Sequence, residues 1–260
     1  MEHRVGKRGV AGFLSERMLR TAAMVSHGNR AADIGCDHAY TAIYLVEQGI
    51  APRVVAMDVN EGPLARAKDN VEKFGMEEKI SLRLSDGLTA LLPGEADTLL
   101  IAGMGGPLME RILSAFPETV AAATELVLQP QSETASLRRF LHGIGFRIAE
   151  EDMLSEDGKY YVILRAEHGK ETEWTDEEYL YGKRFKKQAY SVLQEFLAEE
   201  YRKGLEVLKG LEHAGTEKAG RRREELLQRL RQNEAAKERL FGKVVAYGEH
   251  GNGNNEERGT

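Results

Sequence analysis

The chain has 260 residues, of which 42% are hydrophobic and 30% charged, the make-up of a folded protein with room for one large domain and an appendage. Its formal net charge of −6 excludes a protein that merely coats nucleic acid, while leaving room for an enzyme with a local basic face. A single cysteine, Cys36, excludes an internal disulfide framework and a cysteine-built zinc site; with no apolar h-region behind the basic N-terminus and no run of roughly 18 apolar residues, the expected compartment is the cytoplasm.

In chain order, "LSERMLRTAAMV" (14–25) reads as a helix capped by Ser15. From about residue 30 to 167, short apolar runs alternate with helical segments. "RAADIG" (30–35), "RVVAMDV" (53–59), "KISLRL" (79–84), "DTLLIAG" (97–103) and "ELVLQP" (125–130) read as buried strands. Between them "AYTAIYLVEQG", "PLARAKDNVEKFG", "PLMERILSAF" and "ETASLRRFLHGIG" read as helices that end near glycine. This alternation implies βαβ units and a mostly parallel, doubly wound sheet. "FRIAEEDMLSEDGKYYVILRAE" (146–167) has no helix between its halves and reads as a hairpin turning at Asp157-Gly158. A parallel sheet closed by an antiparallel hairpin is the outline of a class I methyltransferase, an α/β fold.

Beyond about 176 the strand signal stops. Ala189, Leu193, Leu197, Tyr201, Leu205, Leu208 and Leu211 recur mostly four and three apart, a helical seam. After Gly215 a second helix places Leu226, Leu230, Leu240 and Val244 on one face. Two long helices meeting at a glycine predict an antiparallel coiled-coil hairpin. The chain thus divides into a catalytic domain over 1–167, a helical domain over 168–247 and a polar, Gly/Asn-rich tail over 248–260 expected to be disordered. Residues 168–245 carry 17 Lys and Arg against 15 Asp and Glu, while residues 1–167 carry 18 against 24. The basic side chains cluster in "KRFKK" (183–187) and "RRR" (221–223). They suit either a solvated helical face or an arm gripping phosphates.

The chemistry concentrates at strand ends. The first βα turn of a doubly wound sheet faces the ligand crevice. A dinucleotide pyrophosphate wants G-x-G-x-x-G there, but "ADIGCDHAY" offers Gly35 alone, followed by Asp37 and His38. Asp37 would push a carboxylate at a pyrophosphate, which argues against a nicotinamide dehydrogenase. S-adenosylmethionine, with a sulfonium and an amino-acid tail, welcomes acids. The usual methyltransferase loop, acid-x-Gly-x-Gly, becomes Asp33-Ile-Gly35-Cys-Asp37, with the second glycine replaced. Asp58 ends the second strand where an acid accepts ribose hydroxyls, and Asp86 in "SDGL" is placed to accept from the adenine amino group. Each of these acids could equally be a cap or turn residue. "IAGMGGPLMERIL" (101–113) sets Gly103, Gly105 and Gly106 between a strand and a helix. They suit close backbone approach to donor or target, or tight packing. Gln129 in "LQPQ" lies on the same edge. The Asn/Asp-Pro-Pro-Tyr tetrapeptide of amino-methylating DNA enzymes is absent from the chain.

"ADIGCDHAY", "DVNEGPLARAKDNV", "LSDGL", "IAGMGG" and "LVLQPQ", in this order and spacing, resemble the bacterial tRNA (adenine-N1)-methyltransferases that modify adenine 22 of the D-arm, the TrmK family. The resemblance covers residues 12–166 tightly and the helical extension more loosely. It implies an S-adenosylmethionine-dependent enzyme with a Rossmann-like domain and a coiled-coil domain. By that likeness Asp33, Gly35, His38, Asp58, Asn60, Asp86, Gly87, Gly103 and Gln129 line the cofactor and target pocket, with Gly105 and Gly106 beside them. Asp37 and His38 are the expected catalytic pair. The implied partner is tRNA, gripped by Arg17, Lys183, Arg184, Lys186, Lys187, Arg221, Arg222 and Arg223, with no membrane or metal involved and a monomer as the simpler state. "AYTA" (39–42) departs from the family pattern, which has a Leu-Pro pair at Thr41-Ala42. Rival readings are a methyltransferase for another RNA or a small molecule, and a non-catalytic RNA-binding module.

Overall fold

The structure is a computed structural model and describes residues 9–211 and 216–242. A 3-10 turn over Val10–Phe13 leads into α1 (Glu16–Ala22), whose first turn is capped by the Ser15 hydroxyl accepting from the Met18 amide. There follow β1 (Ala31–Ile34), α2 (Tyr40–Glu47), β2 (Val54–Asp58), α3 (Glu61–Phe74) and β3 (Ile80–Leu84). The next elements are β4 (Thr98–Met104), α4 (Gly106–Ala115), α5 (Pro117–Ala122), β5 (Glu125–Pro130), α6 (Thr134–Gly143), β6 (Phe146–Glu156) and β7 (Lys159–His168). The helical part comprises α7 (Asp176–Tyr181), α8 (Tyr190–Leu211) and α9 (Glu217–Phe241).

The seven strands form one sheet in the order β3-β2-β1-β4-β5-β7-β6. Strands β1 to β5 are parallel, and β7 runs antiparallel to both β5 and β6. The hairpin turns at Asp157 and Gly158, both with positive φ (51° and 71°), the signature of a turn whose twist matches the flanking strands. Every residue of β1 and β5 is buried, as central strands covered on both faces must be. Alternate residues feed two cores. Ala32 and Ile34 pack with α4, α5 and α6, while Ala31 packs with α1, α2 and α3. The order reverses between β1 and β4, which opens a crevice at their C-terminal ends.

The sheet-bearing compact unit extends to Arg202, and a second unit begins at Lys203. The helical seam read from Ala189 starts with α8 at Tyr190, and α7 precedes it as a separate short helix. The helical path is broken between α7 and α8, where Phe185 pairs with Glu151 of β6 as an isolated parallel bridge. The cause is a buried ion pair. Glu151, fully buried on β6, accepts from Arg138 Nε of α6 at 2.8 Å and from the amides of Lys183 and Arg184 at 2.7 and 2.9 Å. Arg138, equally buried, also donates to the Tyr179 and Leu180 carbonyls. Those bonds hold residues 182–186 out of a helix.

Leu205, read as a member of the helical seam, is 38% exposed, and the neighbouring Gly204 is buried in its stead. A side chain at Gly204 would meet Leu230 and Leu226, so α9 packs against the bare backbone of α8 at this position. The turn over 212–215, Val244 and the tail over 248–260 lie outside the described residues. Among the described residues no helix is long and apolar enough to cross a membrane.

Candidate functional site

The loop leaving β1 is bound to β2 before any ligand is considered. The Gly35 and Cys36 amides both donate to the Met57 carbonyl at 2.8 and 2.9 Å. Gly35 has φ +79°, and a side chain there would collide with Met104 of β4. Asp37 has φ +46° and Ala39, capping α2, φ +59°. The missing second glycine is therefore missing only in chemistry: Asp37 holds a left-handed conformation that favours glycine. Asp58 helps fix it, one carboxylate oxygen accepting from the Asp37 amide at 3.2 Å and the other from the Asn60 amide at 2.9 Å. Two strained residues in one turn mark a place where geometry is maintained against local preference.

The strain turns the Asp37 side chain outward, with 62% of it exposed. His38 Nε2 stands 3.5 Å from Asp37 Oδ2, and its Nδ1 accepts from Arg66 Nε of α3 at 3.3 Å. Asn70, one turn further along α3, donates to the His38 carbonyl. Asp37, His38 and Arg66 thus form one partly exposed cluster at the mouth of the crevice. Arg66 is a member the sequence did not single out, because nothing in its spacing shows that α3 passes His38.

Beneath the loop lies Asp33, 3% exposed, with one carboxylate oxygen lacking any hydrogen-bond partner in the protein. Burial, reinforced by the charge of Asp58, raises its pKa to about 7. The same surroundings push the Cys36 thiol upward, burial first and Asp33 next, so Cys36 is a poor nucleophile and a small residue in a tight turn. Across β2 and β3, Asp58 stands opposite Leu84 in register. Val59 and Leu84 are 57% and 52% exposed, apolar surface at strand ends that composition could not reveal. Asp86 is exposed beside them, and Gly87 is buried against Ile112 of α4.

The three glycines after β4 separate. A side chain on Gly106 would strike the Ser132 carbonyl at 2.8 Å and the Glu133 carbonyl at 3.0 Å, and the Gly106 amide donates to that same Ser132 carbonyl. Gly106 is explained by packing, and Gly105, where a side chain would come within 3.0 Å of Ser132 Oγ, is nearly as confined. Gly103 is exposed. Its amide donates to Gln129 Oε1 at 3.1 Å, and Arg17 Nη1 donates to the same oxygen at 2.5 Å. Gln129 is fully buried, its own amide nitrogen donating to the Pro130 carbonyl. It therefore joins β4, β5 and α1 and presents Arg17 at the edge.

Lys183 pairs with Glu178, Arg184 with Glu171 and Lys186 with Glu150. All three follow from the β6 edge, with β4, β5 and β7 between it and β1. Lys187 is exposed in the short turn before α8. Arg221 and Arg222 pair with Glu217 and Glu225 along the exposed face of α9, next to Arg223.

An orphaned buried carboxylate, a glycine turn and apolar strand ends beside Asp58 fit the ammonium, backbone-hugging chain and adenosine of S-adenosylmethionine. Comparison with known proteins points the same way. Residues 14–164 match the model of the methyltransferase domain family. A tRNA (adenine(22)-N(1))-methyltransferase of Bacillus subtilis is 40% identical over 156 residues, 60% of this chain and 66% of that protein. The crystal structure of the B. subtilis m1A22 tRNA methyltransferase TrmK matches with a TM-score of 0.75 at 31% identity, covering 85% of this chain and 97% of that one. Streptococcus pneumoniae Sp1610, a putative tRNA (m1A22) methyltransferase in complex with S-adenosyl-L-methionine, matches with a TM-score of 0.76 at 33% identity, covering 85% and 98%. The chain belongs to the methyltransferase domain family and, within it, to the TrmK family.

Proposed function

We propose that this chain transfers the methyl group of S-adenosylmethionine to N1 of an adenine in tRNA, position 22 in the D-arm. The observation that carries the reading is the buried Asp33 carboxylate, one oxygen of which has no hydrogen-bond partner, beneath a strained glycine turn. It is a counter-charge for the donor's ammonium and a poor neighbour for a pyrophosphate. The bound donor supplies an electrophilic methyl on a sulfonium. Adenine N1 bears a lone pair and no proton at neutral pH, so the residues need no general base. Their work is alignment and charge. In this reading Asp33 and Gly35 hold the amino-acid end, Asp58 and Asn60 the ribose, and Asp86 and Gly87 the adenine, with Val59 and Leu84 against its ring. Gly103 lets the target approach the methyl group. Asp37, exposed and oriented by its strained backbone, faces the cation that forms on the target base, and His38 steadies it from the Arg66 side. Adenine N1 is normally engaged in pairing or stacking, so the base must be extruded.

The basic face of α9 with Arg221, Arg222 and Arg223 is assigned to the tRNA body. Lys183, Arg184 and Lys186 already have acidic partners and are weaker candidates, and Lys187 remains available. An enzyme with this substrate works in the cytoplasm. The test is incorporation of labelled methyl into tRNA transcripts carrying adenine or guanine at position 22. Transfer to the first and not the second is the expected result. Cofactor binding with no transfer to any tRNA would overturn the substrate assignment.

A further inference from the structure

Arg17 is the one basic residue among those singled out that reaches the C-terminal edge of β4 and β5. Its backbone amide donates to Glu156 Oε1 at 3.1 Å, which fixes α1 to the hairpin. Its guanidinium lies over the Tyr161 ring, 5.0 Å from the centroid. Of five guanidinium N–H groups, one hydrogen bond is made within the protein, from Nη1 to Gln129. Nε is buried without a hydrogen bond and stands 3.8 Å from Glu156 Oε2, beyond bonding distance. A planar donor fork is therefore held on three sides, by the ring below, the amide carbonyl at one terminal nitrogen and the carboxylate behind. Its other terminal nitrogen makes no hydrogen bond, and Nη1 itself lies beside exposed Gly103.

Building on the proposed function, we infer that Arg17 binds the phosphodiester of the extruded adenosine and that Gln129 is the positioning residue that aims it. Two arguments select phosphate over base. Adenine N1 must keep its lone pair free to attack, so a donor aimed there would block the reaction. The product base carries positive charge, and a guanidinium against its ring would oppose that charge. A phosphate oxygen beside the sugar has neither objection and suits the planar guanidinium fork. Gln129, buried and bonded on both ends of its amide, does not itself meet the RNA.

The experiment is equilibrium binding of a tRNA transcript across a potassium chloride series, with methyl transfer and S-adenosylmethionine affinity measured on the same proteins. Arg17→Ala is expected to weaken tRNA binding about 10- to 100-fold, the range for one charge-assisted hydrogen bond. It should lower the slope of log affinity on log salt by about one counterion and leave cofactor affinity unchanged. Gln129→Leu should weaken tRNA binding less, and Arg17→Ala/Gln129→Leu should bind tRNA no worse than Arg17→Ala. An unchanged salt slope in Arg17→Ala overturns the phosphate contact. Loss of cofactor affinity equal to the loss of tRNA affinity in Gln129→Leu overturns its positioning role. Methyl transfer by the unaltered chain separates these failures from failure of the functional reading itself.

Discussion

At the scale of single residues, the site is a set of carboxylates kept apart by environment. Asp37 is exposed and Asp33 is sealed, with Asp58 bonded between them. Asp37 occupies a glycine conformation with a side chain, at a local cost of roughly 1 kcal/mol. Asp37→Gly should therefore melt at the same temperature as the parent or slightly above it, while methyl transfer falls sharply. A calorimetric scan beside a methyl-transfer assay checks both, and full activity in the variant would remove Asp37 from the mechanism. Asp33 makes a pH statement. Its carboxyl titrates near 7 when folded and near 3.9 unfolded, so its neutral form favours the fold. That stability is fully present below about pH 4 and is lost as pH rises through about 7. Asp33→Asn should stabilise the cofactor-free protein more at pH 8 than at pH 5. An ammonium ligand needs the charged form, so affinity for S-adenosylmethionine should fall as pH drops below about 7. Titration calorimetry at several pH values, with Asp33→Asn as the flat reference, measures this. The acids at strand ends were readable in the sequence because strand, turn and helix follow each other with fixed spacing. The meeting of Arg66 with His38 and the Arg17–Gln129 bond were not, since they join side chains 28 and 112 residues apart, and the unbonded oxygen of Asp33 depends on everything packed around it.

Among the elements, strands and their helices are where local pattern and final structure agree. β5 spans the residues read for it, and the hairpin turns at the expected Asp157-Gly158 pair. Buried parallel strands are short apolar runs whatever surrounds them, and a positive-φ turn selects its own residues. The break between α7 and α8 was illegible because its cause is a charged pair inside the protein, Arg138 with Glu151. No strand signal marks the "YGKRFKKQAY" stretch, yet a buried carboxylate needing donors draws in two of its backbone amides. Removing Arg138 alone would leave Glu151 buried without its cation. Arg138→Met should therefore lower unfolding free energy by about 3–5 kcal/mol, and Arg138→Met/Glu151→Leu by much less. Chemical denaturation of both variants decides it. Equal losses would mean that the amide bonds from residues 183 and 184, rather than the ion pair, hold the segment.

For the molecule as a whole, electrostatics sets the terms on which RNA can bind. Residues 1–167 hold an excess of acid, 24 against 18 basic residues, and the chain carries −6 overall. A site built from carboxylates suits a cationic cofactor but repels a polyanion at long range. The attraction must come from local basic faces able to exchange their partners for phosphate. The pairs on α9 can do so: Arg221 and Glu217 are 72% and 82% exposed, and such surface pairs are worth at most about 1 kcal/mol. Lys183 and Arg184 are bound to nearly buried acids, Glu178 and Glu171, and would surrender them at greater cost. It follows that R221A/R222A/R223A should weaken tRNA binding and reduce its salt slope by up to about three, with cofactor affinity and melting temperature unchanged. Replacing Lys183 and Arg184 with alanine should instead lower the melting temperature while changing the salt slope little. Binding isotherms over a salt series, read beside thermal melts, separate the two sets. The opposite assignment, with a slope change from residues 183 and 184 and none from 221 to 223, would move the RNA-binding face from α9 to the β6 edge.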